Sequence, residues 1–276
     1  MDELYVAARR VLLDGLEALG VHRGALILVG AQAVYLRVGE ADLAVAPYTT
    51  DADLAVVPSQ LAELPPLEQS LRDASFRPKS AQSVGIWVTT RSVSMKDVDI
   101  AIDLLVPTAA SRNANSRAAD LTGHDRKAAR NVEGLDGALI DNDLMEVKSL
   151  DHGDERTFDL LIAGPAGLLT SKLYKIADRI DTGRLSDKDA LDVLRLLRGT
   201  TTDDLSRRYR NPCRSDVCLS RSARLRVVES SVHRTQCHWL DDDLSSRRDA
   251  CRSRGARSLR SRPQRGPSRG RTWLTH

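Results

Sequence analysis

The sequence predicts an α+β fold, a mixed sheet flanked by helices with more helices after it, and three observations predict it. Residues 2–19 place Leu4, Ala8, Val11, Leu12, Leu16 and Leu19 on one helical face with charges opposite. Short runs of apolar and β-branched residues recur at 25–29, 53–57, 86–93, 98–106, 144–149 and 157–162, the length of strands rather than helices. Two helical patterns then close the ordered part, at about 165–180 and 186–198.

Each element has its own start or stop. Gly20 ends the first helix, and the strand 25–29 runs into Gly30, after which the helical run AQAVYLRV begins at once. A loop around Pro47 leads to the strand 53–57; Pro58 ends that strand and is expected to open a helix reaching Ser75. The strands 86–93 and 98–106 follow, the second closed by Pro107. Residues 109–130 are polar and read as an active-site loop, with most of Arg112, Arg117, His124, Arg126, Lys127 and Arg130 expected to be solvated. The strands 144–149 and 157–162 form a pair joined by a turn at His152-Gly153. Pro165 stands in the first turn of one closing helix and Ser186 is expected to cap the other.

Charge divides the 276 residues near position 203. Residues 1–202 hold 23 basic against 30 acidic residues, whereas 203–276 hold 18 against 8, and all 18 are arginine. The four cysteines, Cys213, Cys218, Cys237 and Cys251, also lie in this Arg/Ser-rich stretch, without the paired short spacing of a zinc knuckle. It lacks apolar periodicity and is expected to be irregular. One reading makes it a basic arm that follows a phosphate backbone. The favoured reading is a shifted reading frame in a G+C-rich gene, which enriches Arg, Ser, Cys and Trp without selection. No run approaches the roughly 20 apolar residues that span a bilayer, and the N-terminus lacks the order of a signal peptide, so a cytoplasmic protein without membrane partners is expected.

The chemistry concentrates in Asp51, Asp53 and Asp103. In a strand, side chains two apart share a face, so Asp51 and Asp53 point together if the strand begins there. Asp103 stands among Ala101, Ile102, Leu104 and Leu105, in a strand that is otherwise buried. A buried aspartate is costly unless a partner or a metal compensates it. Three converging carboxylates suit magnesium, which takes oxygen ligands and keeps substrate phosphates in its shell. Two such ions about 4 Å apart can activate an attacking hydroxyl and stabilise a leaving pyrophosphate. The turn at Gly30-Ala31 supplies the other half, backbone N–H groups at a helix start that can hold a triphosphate.

D-x-D alone is common, but the ordered set is more specific. Strand-Gly-helix, then Thr50-Asp51-Ala52-Asp53 opening a strand, then an aspartate in a later strand, resembles the layout of the DNA polymerase β-like nucleotidyltransferases. Further on, Ala163-Gly-Pro-Ala-Gly-Leu-Leu-Thr-Ser-Lys-Leu-Tyr-Lys-Ile-Ala-Asp-Arg179 and Lys188-Asp-Ala-Leu-Asp-Val-Leu-Arg-Leu-Leu197 resemble the lysine helix and K-D-x-x-D helix of the AbiEii toxin group, which includes the mycobacterial MenT toxins. The resemblance covers about residues 1–200. It implies a catalytic domain at 1–162, a helical part at 163–202 and an unrelated tail at 203–276.

The resemblance also implies roles. Asp51, Asp53 and Asp103 bind metal; Lys172 balances the triphosphate; Asp192 is the final aspartate of its helix, with Lys188 and Asp189 beside it. Gly30, Ala31, Thr50, Lys172 and Lys188 are the expected nucleotide contacts. Lys188 and Asp192 are four apart and so share a helix face, and an exposed ion pair is an equal reading of Lys188 and Asp189. Two departures stand out. Gly30-Ala31 replaces the usual Gly-Ser or Gly-Gly, so no hydroxyl lies beside the phosphates, and Pro47-Tyr48-Thr49 replaces an arginine before the T-x-D-x-D run.

The implied activity is magnesium-dependent transfer of a nucleoside monophosphate from an NTP to an acceptor hydroxyl. The implied acceptor is the 3′ end of tRNA and the implied partner an antitoxin protein. The acidic character of residues 1–202 requires a local basic patch, such as Arg112 to Arg130, for RNA to bind. The alternatives are a protein or small-molecule acceptor, such as an aminoglycoside, or an inactive remnant that only binds.

Overall fold

A computed structural model describes residues 2–39, 49–181 and 187–210. Every described residue belongs to one compact unit. Pro47, Tyr48, Ser186 and the four cysteines lie outside the described residues.

The fold is α+β, an eight-stranded mixed sheet flanked by helices, as expected. Helix α1 (Glu3–Ala18) starts where Asp2 accepts a hydrogen bond from the Tyr5 amide at 3.0 Å, an N-cap of the kind that contributes about 1 kcal/mol. The strand expected at 25–29 is β1 (Leu26–Val29), preceded by a tight 3-10 turn through Ala25, and α2 (Gly30–Val38) begins directly after it. Strand β2 (Asp51–Val56) starts two residues earlier than its apolar run, because Asp51 and Asp53 themselves pair in the sheet.

One expected element differs. The helix from Pro58 to Ser75 is reduced to α3 (Leu67–Asp73). Pro65 and Pro66 have no N–H to donate, and each restricts the residue before it, so helical bonding begins only after them.

A two-residue strand β3 (Arg77–Pro78) pairs with β4 (Ile86–Val93), which pairs antiparallel with β5 (Lys96–Pro107). Strand β6 (Arg130–Val132) runs parallel to the far end of β5. The expected hairpin is β7 (Asn142–Lys148) and β8 (Thr157–Ala163). The main path of the sheet is β3-β4-β5-β2-β1-β8-β7. Helices α4 (Pro165–Asp181) and α5 (Asp187–Gly199) follow.

Residues 203–210, expected to be irregular, are helical. Helix α6 (Thr202–Arg210) is ordered by contacts that its polar composition does not advertise. Arg208 donates to Asp141 at 2.9 Å and to Asp143 at 3.0 Å, and the Tyr209 hydroxyl donates to the Ala166 carbonyl at 3.2 Å. Residues 211–276 lie outside the described residues.

The core is continuous through α1, the central strands and α4. Gly15 of α1 lies against Ile102 of β5, so Ile102 faces α1 and its neighbour Asp103 points to the other side of the sheet. Among the described residues no helix is long and apolar enough to cross a membrane.

Candidate active site

Strand register assembles the carboxylates. Strands β2 and β5 are parallel, with Asp53 opposite Asp103 and Asp51 opposite Ala101, so all three aspartates share the face turned away from α1. Antiparallel β1 places Val29 opposite Asp53, which brings the β1–α2 turn to the same place. At that turn Gly30 has φ +71°, and a Cβ on it would stand 2.0 Å from Asp53 Oδ2. Glycine is therefore required twice, by the backbone and by the carboxylate against it.

The three carboxylates are near neighbours but are not drawn into a ready cage, as the sequence alone suggested. Among the described residues no three His, Cys, Asp or Glu side chains form a group able to hold a metal as they stand. Like charges do not close up without a cation between them, and here side chains of the protein take that part. Arg130 donates to Asp103 Oδ2 at 2.5 Å. Thr49 donates to Asp51 Oδ1 at 2.5 Å, and Lys188 Nζ stands 3.9 Å from the same oxygen and 3.2 Å from the Thr49 hydroxyl. Lys188 therefore serves Asp51, not Asp192.

The electrostatics show a shortage of positive charge. Burial, then the Asp53 charge, pushes the Asp103 carboxyl up to about 7, although Arg130 opposes the shift. Burial and Asp51 raise Asp53 in the same way. Carboxylates that hold protons this tightly are suited to a divalent cation, and their donor set is all oxygen. The residues thus fit magnesium, provided that Arg130 yields Asp103.

Arg130 was expected in a solvated loop, and the sheet explains why it is not. Strand β4 begins at Ile86, opposite Asp103, and from Leu105 onward β6 takes over that edge, with Arg130 opposite Leu105. Gly85 makes the handover: at φ +69° its backbone lies so close that a Cβ would stand 2.6 Å from the Leu104 carbonyl and 2.7 Å from the Arg130 amide. Arg112, Arg117, Arg126 and Lys127 are exposed, as expected, while His124 is partly buried and accepts from the Leu67 amide through Nδ1 at 3.0 Å.

A second missed residue is Gln32, the third residue of α2. Its Nε2 donates to the Asp51 carbonyl at 3.1 Å and its Oε1 accepts from Arg9 at 2.9 Å, so it ties the start of β2 to two helices. A lone glutamine carries no sequence signal for this.

Lys172 and Asp192, both expected at the site, meet each other in a buried network. Lys172 Nζ donates to Asp192 at 2.7 Å and to Asp189 at 3.1 Å. Asp192 is 0% exposed and also accepts from Arg195, whose guanidinium lies over the Tyr35 ring of α2. Asp189 is buried rather than part of an exposed pair, and Arg179 also donates to it. Burial alone would lower the Lys172 pKa, but Asp192 and Asp189 outweigh it and raise it. The network locks α4 to α5 and α5 to α2.

A cleft of about 930 Å³ opens beside these groups, a size that suits a nucleotide. Gly30 and Asp53 form part of its wall, and Arg117, Arg130, Lys175 and Arg179 bring positive charge to it. Lys172 also reaches it, whereas Ala31, Thr50 and Lys188, three of the expected nucleotide contacts, do not line it. Along α4 the lining positions include 171, 172, 175, 178 and 179, one helical face.

The sequence matches no protein-family profile and no curated protein. A solved structure described as the antibiotic-resistance factor ANT(2'')-Ia, with substrate-regulated conformation dynamics, is similar at 12% identity and a TM-score of 0.38, over 86% of this chain and 100% of that one. A likeness at that level says nothing about activity, so the functional reading rests on the site itself.

Proposed function

We propose that the protein is a magnesium-dependent nucleotidyltransferase that moves a nucleoside monophosphate from an NTP to an acceptor hydroxyl. The observation that carries this reading is the register of Asp53 with Asp103 beside the Gly30 turn, at the edge of a cleft where Arg117, Arg130, Lys172, Lys175 and Arg179 face Asp53, Glu133 and Asp178. Asp51, Asp53 and Asp103 would hold magnesium, which when bound offsets charge on the triphosphate and favours departure of pyrophosphate. A carboxylate oxygen of Asp103 left free of the ion can take the proton of the acceptor hydroxyl. That oxygen attacks the α-phosphorus, the bond to the β-phosphate breaks, and pyrophosphate leaves. Gln32 keeps Asp51 in place, and the Lys172–Asp192 network holds the α4 wall of the cleft.

The acceptor in this proposal is the 3′ end of tRNA, with the protein acting in the cytoplasm as a toxin opposed by a cognate antitoxin. The toxin role rests on the sequence resemblance. The RNA acceptor has one physical support: Arg117, Arg130, Lys172, Lys175 and Arg179 outnumber Asp53, Glu133 and Asp178 at the cleft, a balance that suits a polyanion better than a polycationic aminoglycoside.

The test is incubation of the full chain with magnesium and each α-labelled NTP in turn, with total RNA, total protein or an aminoglycoside as acceptor. The proposal predicts label in RNA of tRNA size, dependent on magnesium and absent with Asp53→Asn. Label in none of the acceptors contradicts the enzyme reading, and label only in protein or drug contradicts the acceptor.

A further inference from the structure

The lysine that the resemblance assigns to the triphosphate is the one least free to meet it. Lys172 is 4% exposed and sits between two carboxylates at 2.7 and 3.1 Å, so a phosphate would have to break a buried, doubly bonded pair to claim its charge. Removing the lysine from that pair would strand Asp189 and Asp192, which join α4 to α5.

One turn further along the same helix face stands Lys175. It lines the cleft that Gly30 and Asp53 also line, and its side chain is 49% exposed. Its nearest described carboxylate is Asp189, with Nζ at 3.8 Å from Oδ1, beyond hydrogen-bond length. A half-exposed lysine on a flexible four-carbon stem can turn toward an anion with little loss. Its charge already reaches the catalytic face, since it pulls the proton affinities of both Asp53 and Asp103 downward against burial. Of the other cations at the cleft, Arg130 is bound to Asp103 and Arg179 to Asp189, while Arg117 stands off α4, in the segment before β6.

We propose that Lys175, not Lys172, is the residue of α4 that grips the donor's polyphosphate, while Lys172 is a strut that fixes the helix on which Lys175 is carried. The proposal rests on the nucleotidyltransferase reading and divides the work of one helix between two lysines three positions apart. A point charge on a mobile stem suits a polyphosphate that must enter, react and leave as pyrophosphate.

The test is calorimetric binding of the α,β-methylene analogues of the four nucleoside triphosphates, with magnesium, to the full-length protein. Lys175→Met should weaken binding about tenfold with an unchanged melting temperature, and Lys175→Arg should restore most of it. Inorganic pyrophosphate should show the same dependence, while a nucleoside without phosphates should not distinguish the variants. Lys172→Met should instead lower the melting temperature. If wild type binds an analogue and Lys175→Met binds it equally well, the assignment is overturned while the nucleotidyltransferase reading stands. If wild type binds none of the four analogues, both fall.

Discussion

Asp53 and Asp103 are register partners on neighbouring parallel strands, which places a partly buried and a buried carboxylate of distant sequence on one face of the sheet. Nothing in sheet stability calls for such a pair, since like charges directly opposite destabilise a sheet. Its presence beside a strained glycine turn is what a site for a cation and phosphates requires.

Replacing Asp53 by asparagine therefore separates function from stability. The variant should lose at least about a hundredfold in nucleotide transfer, the scale expected when charge stabilisation is removed from a transition state. Its melting temperature should stay level or rise, because a raised, like-charge contact is relieved. Kinetics and calorimetry on the same preparation check both halves.

Stability should also depend on pH through Asp103. Its folded carboxyl keeps the proton up to about 7, against 3.8 for the ordinary group. Between those values the folded state binds more protons than the unfolded one, so the contribution is full below about pH 4 and is lost as pH rises toward 7. Urea midpoints at pH 5 and 7.5 should differ more for wild type than for Asp103→Asn. Added magnesium should restore part of the loss at pH 7.5 in wild type alone.

The turn at Gly30 is sensitive to a single methyl group. Gly30→Ala meets a positive φ and an Asp53 oxygen 2.0 Å from the new Cβ. It should destabilise by about 1–3 kcal/mol and displace Asp53, so that activity falls further than the folded fraction does. Chemical denaturation and activity assays on the folded fraction give the two numbers.

Asp192 is buried between Lys172 and Arg195. Asp192→Ala leaves Lys172 and Arg195 buried without their shared carboxylate, and should cost about 3–5 kcal/mol of stability. Equilibrium unfolding measures it. A stable, folded and inactive Asp192→Ala protein would instead make Asp192 a direct participant in chemistry.

The sequence carried the helices and strands well where a period and a stop coincided, as at Gly30 and at the β7–β8 hairpin. It erred at 58–75, where apolar content concealed two prolines, and at 203–210, where helix α6 is held by Arg208 and Tyr209 through partners more than thirty residues away. The aspartates were legible because two carboxylates on one strand face break an apolar pattern. Arg130, Gln32 and Lys175 were not. Each acquires its place from a register, a glycine handover or a neighbour's pairing that exists only after folding. Lys172 shows the reverse: its position in the helix was legible, but its partners, Asp189 and Asp192, already satisfy its charge.

The proposed activity requires that the face holding Asp51, Asp53 and Asp103 bind a divalent ion. Titration of the full chain with manganese, a spectroscopic substitute for magnesium, followed by electron paramagnetic resonance, tests it directly. Binding should be saturable, weakened at least about tenfold by Asp53→Asn and by Asp103→Asn, and strengthened by Arg130→Met, which frees Asp103. Equal manganese affinity in wild type and both aspartate variants would contradict it.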